Sequence, residues 1–589
     1  MAYGIKYKFR FEGTHDTYEV QLLENGYYGN ATKRPLGAAP VIHMQESDPF
    51  RATSLDLTLE CQTDGEYVDL YTSDPRQYKV EVRKVNNNTL SLIWTGFVAT
   101  ELYSEPDIAP PYDVHITAID GLGILKEYDF QTGFGGRPVR TQLQSLLAKT
   151  GLTLDLYSVT QLCKYGEWPA DFMDDVKIDM DYMDGKNCYD VLSELLTTLR
   201  CVVTQWNGAW VIIRETDAQI QSNGDVNGIK SDKTGVNDTI AASIEDMTAK
   251  IGQMGAVGTD MWPIGYLTRR VVPAKKRVVV SSAFHAKNGA PALSTWTGRG
   301  YTSYNSTTGT WSVGYNLNDD PGTIEASMNM FSFKSDIKVK IKASCTNQTY
   351  YVPSANVKVL AIWVENGTNY YFQTQNGWVT NGDPTGEENI LQRDISANPD
   401  LAQSIEVVIP AHGSANSGHI TIKIEGYAAT IFDVAVELLA PSYKDVLLLA
   451  NGARGTAKDL EVSGWRQLSS LMIPAAFCAG MFFKDDGDAT SEILTAFSDG
   501  NNSNKDFMSL SALAYAKQHA APRIEITGNL DFPGSMYCHP LFLKSHNQWA
   551  LVSSFDWNLK EAEFNFKAVT LPTATLTVDS ETITSIPNN

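Results

Sequence analysis

No HExxH, GxSxG or GKS/GKT signature occurs in this sequence, so nothing recommends a zinc protease, a nucleophile-elbow hydrolase or a P-loop enzyme. Cysteine offers no framework either. The seven residues Cys61, Cys163, Cys188, Cys201, Cys345, Cys478 and Cys538 are odd in number, widely scattered and free of any CxxC, which argues against a disulfide scaffold. Buried apolar thiols in a reducing compartment are expected instead. There is no run of about 18 apolar residues, and the start MAYGIKYKFRFEG alternates like a strand without the apolar centre of a secretory signal. The expectation is a soluble protein made in a cytoplasm, with no membrane insertion. Positive charge is in deficit, with Lys+Arg 47 against Asp+Glu 68 and a net charge of -21. Such a surface repels phosphate backbones and anionic lipid, so nucleic acid is not an expected partner.

What is present is an ordinary folded composition, 43% hydrophobic and 20% charged, in a chain of 589 residues that exceeds one core and implies three to five domains. Residues 1–115 alternate in short strands such as YKFRFEG, SLDLTLEC, YKVEVRKV and LSLIWTGFVA, which predicts a β-barrel-like domain. The prolines of PDIAPPY at 106–112 mark its exit.

Residues 116–215 read as an α/β helix-hairpin domain. Pro138 suits a first helical position, and Val139, Leu143, Leu146 and Leu147 form one apolar stripe. In NCYDVLSELLTTLRCVVTQWNGAWVIIRE, Asn187 is an N-cap with Asp190 three residues on, and Val191, Leu192, Leu195, Leu196 and Leu199 make the buried face. The Asn207-Gly208 pair then predicts a type I′ hairpin. Val202, Trp206, Val211 and Ile213 point one way and Val203, Trp210 and Ile212 the other, so the hairpin needs cover on both sides. The helix supplies one cover. Another domain or another chain must supply the second, which makes Val203, Trp210 and Ile212 candidate packing-interface residues.

Residues 216–275 are Asp/Asn/Gly-rich and predict a connecting segment. From 276 to 440 the rhythm is all-β again, through KRVVVSSAF, IKVKIKASC, VKVLAIWVEN, SIEVVIP, HITIKIEGY and IFDVAVELL, which predicts an inserted, jelly-roll-like β-sandwich. Residues 441–570 are mixed α+β, with a helix expected over 506–520, and 571–589 form a polar tail. The fold class is therefore multidomain and mainly β, with two β-barrel-like domains, α/β connecting elements and the inserted sandwich.

Candidate chemistry is sparse. GFGGRP lacks the spacing of a phosphate loop, DMDYMDGK with Asp179, Asp181 and Asp184 misplaces its glycine and has no closing Glu, and KDDGDATSE with Asp485, Asp486 and Asp488 fails the same calcium-loop test. Cys538 and His539 are adjacent and would point apart on a strand. Catalytic, metal and cofactor sites are thus not expected. Trp296, Tyr301, Tyr304, Trp311 and Tyr315 crowd a glycine- and serine-rich stretch near Arg299, Asp319 and Asp320. Exposed rings there would stack on sugar faces, the polar groups bonding hydroxyls; the same rings also suit a core or a protein interface.

Taken in order, DPFRATSLDLTLEC, YVDLYTSDPRQYKVEV, LIWTGFVATELYSEP, PPYDVHITAIDGLGILKEYDF, the helix-hairpin, SALAYAKQHAAPRIEITGNL and SSFDWNLKEAEFNF resemble the tail hub proteins at the distal tail or baseplate of tailed bacteriophages and prophages. That resemblance implies a non-enzymatic virion structural protein made in the host bacterial cytoplasm. It would form a homotrimeric ring between the tail tube and tip components. The sandwich, absent from a minimal hub, resembles carbohydrate-binding modules in its strand rhythm and makes host-surface polysaccharide a possible partner. The alternatives are a glycan-binding adhesion protein and a tail-associated cell-wall hydrolase.

Overall fold

The computed structural model describes residues 2–131 (except 88), 138–159, 185–214, 260–275, 290–314, 322–330, 336–345, 356–373, 376–380, 401–414, 418–438, 521–531 and 548–570, with short strands between them. It is multidomain and mainly β, as the sequence predicts. The strand Thr53–Cys61 shows why: alternate residues Leu55, Leu57, Leu59 and Cys61 are buried while Asp56 faces out, the period-two pattern of a half-covered sheet.

Antiparallel pairing links Tyr3–Glu12 to Thr17–Asn25, then to Tyr78–Asn86 and Thr89–Val98. Tyr112–Ile119 follows, pairs with Thr53–Cys61, and leads through Val41–Met44 to the C-terminal strand Gln548–Asn558. Beyond it stand Glu563–Thr570, Arg523–Asp531 and Asp260–Val272. Among the described residues, fourteen strands form this sheet. Its inner side is one contiguous core holding Phe9, Val80 and Leu57 from the N-terminal strands and Ile526, Phe555 and Phe564 from the C-terminal ones. The two ends of the chain therefore make one packed body.

Several local expectations hold. The helix Val139–Ala148 buries Val139, Leu143, Leu146 and Leu147, but Pro138 stands one place ahead of the expected first helical position, as the N-cap. In the helix Cys188–Leu199, the Asn187 side chain accepts a hydrogen bond from the Asp190 N–H at 2.8 Å. Asn207 and Gly208 have φ of 47° and 73°, the positive pair a two-residue turn requires. Arg277–Ala286 differs from expectation: it pairs with Tyr443–Leu448 and Leu460–Ser469 rather than within the sandwich. The expected connection ends in the 13-residue strand Asp260–Val272, and the tail returns as Thr584–Pro587 beside Tyr443–Leu448. The helix expected over 506–520 falls almost wholly outside the described residues.

The sandwich has its own core of Ile324, Val339, Val359, Trp363, Ile422 and Val436 with their neighbours. One face runs Thr297–Arg299, Gly322–Met330, Gly418–Tyr427, Asn356–Glu365, Thr368–Gln373 and Gly377–Val379; the other runs Thr302–Asn305, Thr310–Val313, Ala429–Leu438, Ile337–Cys345 and Gln403–Ile409.

A buried polar knot closes the N-terminal body. Asp120 accepts from the Thr53 N–H at 2.6 Å, the Thr53 hydroxyl at 3.1 Å and the Leu122 N–H at 3.1 Å, while the Trp94 indole donates to Thr53 Oγ1 at 2.9 Å. Burial outweighs these donors and raises the Asp120 carboxyl to about 6. The folded form then binds a proton more tightly than the unfolded form, so this group stabilises progressively as pH falls from about 6 toward 4. Asp120→Asn should lack that response. The stability gap between wild type and variant, measured by urea unfolding, is expected to widen in favour of wild type by up to about 3 kcal/mol over that window.

Candidate interaction surface

The helix-hairpin sits at the junction of the body. Its first strand, Cys201–Trp206, pairs in parallel with Phe50–Arg51, and its second, Ala209–Arg214, pairs in parallel with Asp155–Val159. Gly208 donates to the Ile93 carbonyl at 2.6 Å, and a Cβ there would lie 2.6 Å from the Leu92 carbonyl oxygen, so the tip tolerates only glycine. Beside it, the buried Gln205 replaces a missing strand. Its Oε1 accepts from the Thr95 N–H and its Nε2 donates to the Thr95 carbonyl, both at 2.7 Å.

Val202, Trp206, Val211 and Ile213 enter the shared core, where Trp206 meets Phe555 edge-on at 4.9 Å and Trp557 at 6.2 Å. Of the two covers expected for Val203, Trp210 and Ile212, another domain or another chain, the structure leaves the first. All three are at most 2% exposed within the single chain, and the helix Cys188–Leu199 packs against the strand Cys201–Trp206 that carries Val203. Between helix and core, both sides of the hairpin are covered, and these residues are not free for another subunit.

The aromatic stretch divides. Trp296 and Trp311 are buried in the sandwich core, their indoles donating to the Pro291 carbonyl at 3.1 Å and the Leu293 carbonyl at 2.8 Å. Both therefore take the core reading and are corrected as sugar-stacking residues. Tyr304 packs half-buried on Trp311 at 5.3 Å, Tyr301 is 59% exposed, and Tyr315 lies outside the described residues. Tyr301 borders an open groove of about 420 Å³ with Thr302, Ser303, Ser312 and Gly314.

Sequence reasoning missed the most exposed apolar element. Asp260–Val272 is paired on one edge to Arg523–Asp531; on the other, only Asp260 and Met261 meet a strand among the described residues. Its register breaks between Ile264 and Thr268, and Tyr266 stands 99% exposed at that break, with Trp262, Ile264 and Val271 also exposed. Among the described residues the rest of this edge is uncovered, and its backbone N–H and C=O groups are left open to pairing. The signal lay in MWPIGYLTRRVV, where Pro263 and Gly265 hide the alternation.

GFGG at 133–136, Asp179, Asp181, Asp184, Asp485, Asp486, Asp488, Cys538 and His539 lie outside the described residues. Among the described residues no group of three or more His, Cys, Asp or Glu is placed to hold a metal, and no helix is long and apolar enough to cross a membrane.

No family model and no curated protein matches the chain. Among solved structures it is similar to the 43 kDa tail protein of prophage MuSo2 from Shewanella oneidensis, at 8% identity and a TM-score of 0.32, covering 94% of this chain and 98% of that one. A tail protein from Neisseria meningitidis MC58 follows at 9% identity and a TM-score of 0.25, covering 69% of this chain and 96% of that one. The xylan-binding module CBM15 is similar over 28% of this chain and 97% of its own, at 12% identity and a TM-score of 0.16. These scores lie below the level at which a shared fold is shown.

Proposed function

We propose that this chain is a structural subunit of a phage or prophage tail: a distal hub that assembles as a homotrimeric ring joining the tail tube to tip components. The observation that carries this reading is the shared core. Stretches that resemble tail hubs are separated by hundreds of residues, yet SLDLTLEC, the hairpin CVVTQW, RIEITGNL and SSFDWNLKEAEFNF all contribute buried side chains to one body. The sandwich keeps a core of its own, as an insertion on such a body would. The function of this architecture is assembly, through an interface of the large obligate class, roughly 2,000 Å² or more. Immunogold labelling of intact tailed particles with an antibody to this chain tests it. Label at the distal end is expected; particles that carry no label contradict the reading.

A second reading, a glycan-contacting sandwich, keeps one observation in its favour: the exposed Tyr301 at the open groove. Under it, Tyr301→Ala abolishes binding on a glycan array and leaves the melting temperature within about 1 °C, since a surface change away from packing costs little. Equal glycan binding by the variant and wild type removes the groove from consideration.

A further inference from the structure

Two surfaces of this chain are apolar, exposed and opposite in charge. The first is the strand Asp260–Val272 with the residues that follow it. After Asp260, residues 261–275 hold Arg269, Arg270 and Lys275 and no acidic residue, in a chain of net charge -21. Trp262, Ile264 and Tyr266 are exposed along the strand, beside Arg269 and Arg270; Arg270 stays largely exposed while lying 3.8 Å from Glu525.

The second surface is formed by two loops of the N-terminal body, 62–75 and 99–111. Together they hold Asp64, Glu66, Asp69, Asp74, Glu101, Glu105 and Asp107 and no Lys or Arg; Asp69 and Glu66 are already paired with Lys6 and Arg34, so Asp64, Asp74, Glu101, Glu105 and Asp107 carry the outward charge. They are joined to each other: the Glu101 N–H donates to the Thr72 carbonyl at 3.1 Å, and the Tyr112 hydroxyl lies 3.2 Å from Asp64 Oδ1 and 3.1 Å from Glu105 Oε2. Burial and Glu105 push the Tyr103 hydroxyl up. Apolar side chains stand out from the same loops, with Val68, Tyr71, Leu102 and Ile108 each more than half exposed.

We propose that the basic strand Asp260–Val272 of one copy docks on the acidic loop pair 62–75 and 99–111 of the next copy, head to tail. The inference rests on the assembly reading above and names the two faces that would meet. A heterologous contact of this kind builds a ring when its rotation closes, and every copy then uses both faces. The exposed aliphatic and aromatic side chains supply the buried area. The charges set partner choice and register, because isolated surface pairs add little affinity while like charges brought together cost several kcal/mol. A partner of the same chain satisfies the match without any further protein, since each copy carries both signs.

Charge reversal tests this on the full chain, by light scattering coupled to size exclusion at micromolar concentration and by thermal unfolding. Arg269→Glu with Arg270→Glu is expected to weaken self-association at least about tenfold, and Glu101→Lys with Asp107→Lys to do the same, both without loss of melting temperature. Combining all four reversals restores complementarity and is expected to recover most of the wild-type association. Tyr266→Ser reads the apolar part separately and is expected to weaken association in an otherwise wild-type chain. Reversals that leave a wild-type oligomer intact, or a fourfold variant that does not recover, overturn the assignment of faces and leave the assembly reading standing. A wild-type chain that stays monomeric overturns both.

Discussion

Trp206→Ala is expected to destabilise the main body by about 3–5 kcal/mol, the range for removing a buried large aromatic side chain. Trp206 leaves the hairpin at 5% exposure and lies against Phe555 and Trp557, so truncation opens a void where the hairpin meets the C-terminal strand. Ile42, Ile93 and Trp94 line the same spot from the N-terminal strands. The loss therefore falls on the contact that unites the two ends of the chain. Calorimetry should show the transition of the body moving down by several degrees while the transition of the sandwich, with its separate core, stays in place. Parallel movement of both transitions would mean that the sandwich and the body unfold as one unit.

The complementary result is expected for Trp311→Ala. That ring is 8% exposed, donates to the Leu293 carbonyl at 2.8 Å and packs so closely on Gly298 that a Cβ there would lie 2.6 Å from it. Its removal leaves a cavity and takes one of two donors from the Leu293 carbonyl, which keeps the Trp296 N–H at 3.2 Å, with a cost again of about 3–5 kcal/mol. Here the sandwich transition should fall and that of the body remain. An unchanged melting profile with loss of glycan binding would return Trp311 to the role of an exposed stacking ring.

These two tryptophans also show where the sequence is informative. The Asn187 cap, the Asn207-Gly208 turn and the apolar stripes of both helices are legible because each is decided within a few residues, by capping, by positive φ and by 3.6-residue spacing. The two apolar faces of the hairpin are legible for the same reason. What covers them is not, because Trp206 meets residues some 350 positions away and Val203 is sealed within the chain. Gln205 carries no signal at all, since its value lies in the unpaired Thr95 backbone it completes. The strand Asp260–Val272 was hidden by Pro263 and Gly265, and its partner Arg523–Asp531 lies beyond the inserted sandwich. Among the candidate sugar-binding residues, composition alone could not separate the buried Trp296 and Trp311 from the exposed Tyr301.

The central claim is assembly of copies of this chain into a closed ring. Its most direct test is the mass of the purified protein by light scattering coupled to size exclusion, across a concentration series. The account predicts a single species at about three times 64.9 kDa. A species that holds the mass of one chain at every micromolar concentration would contradict it.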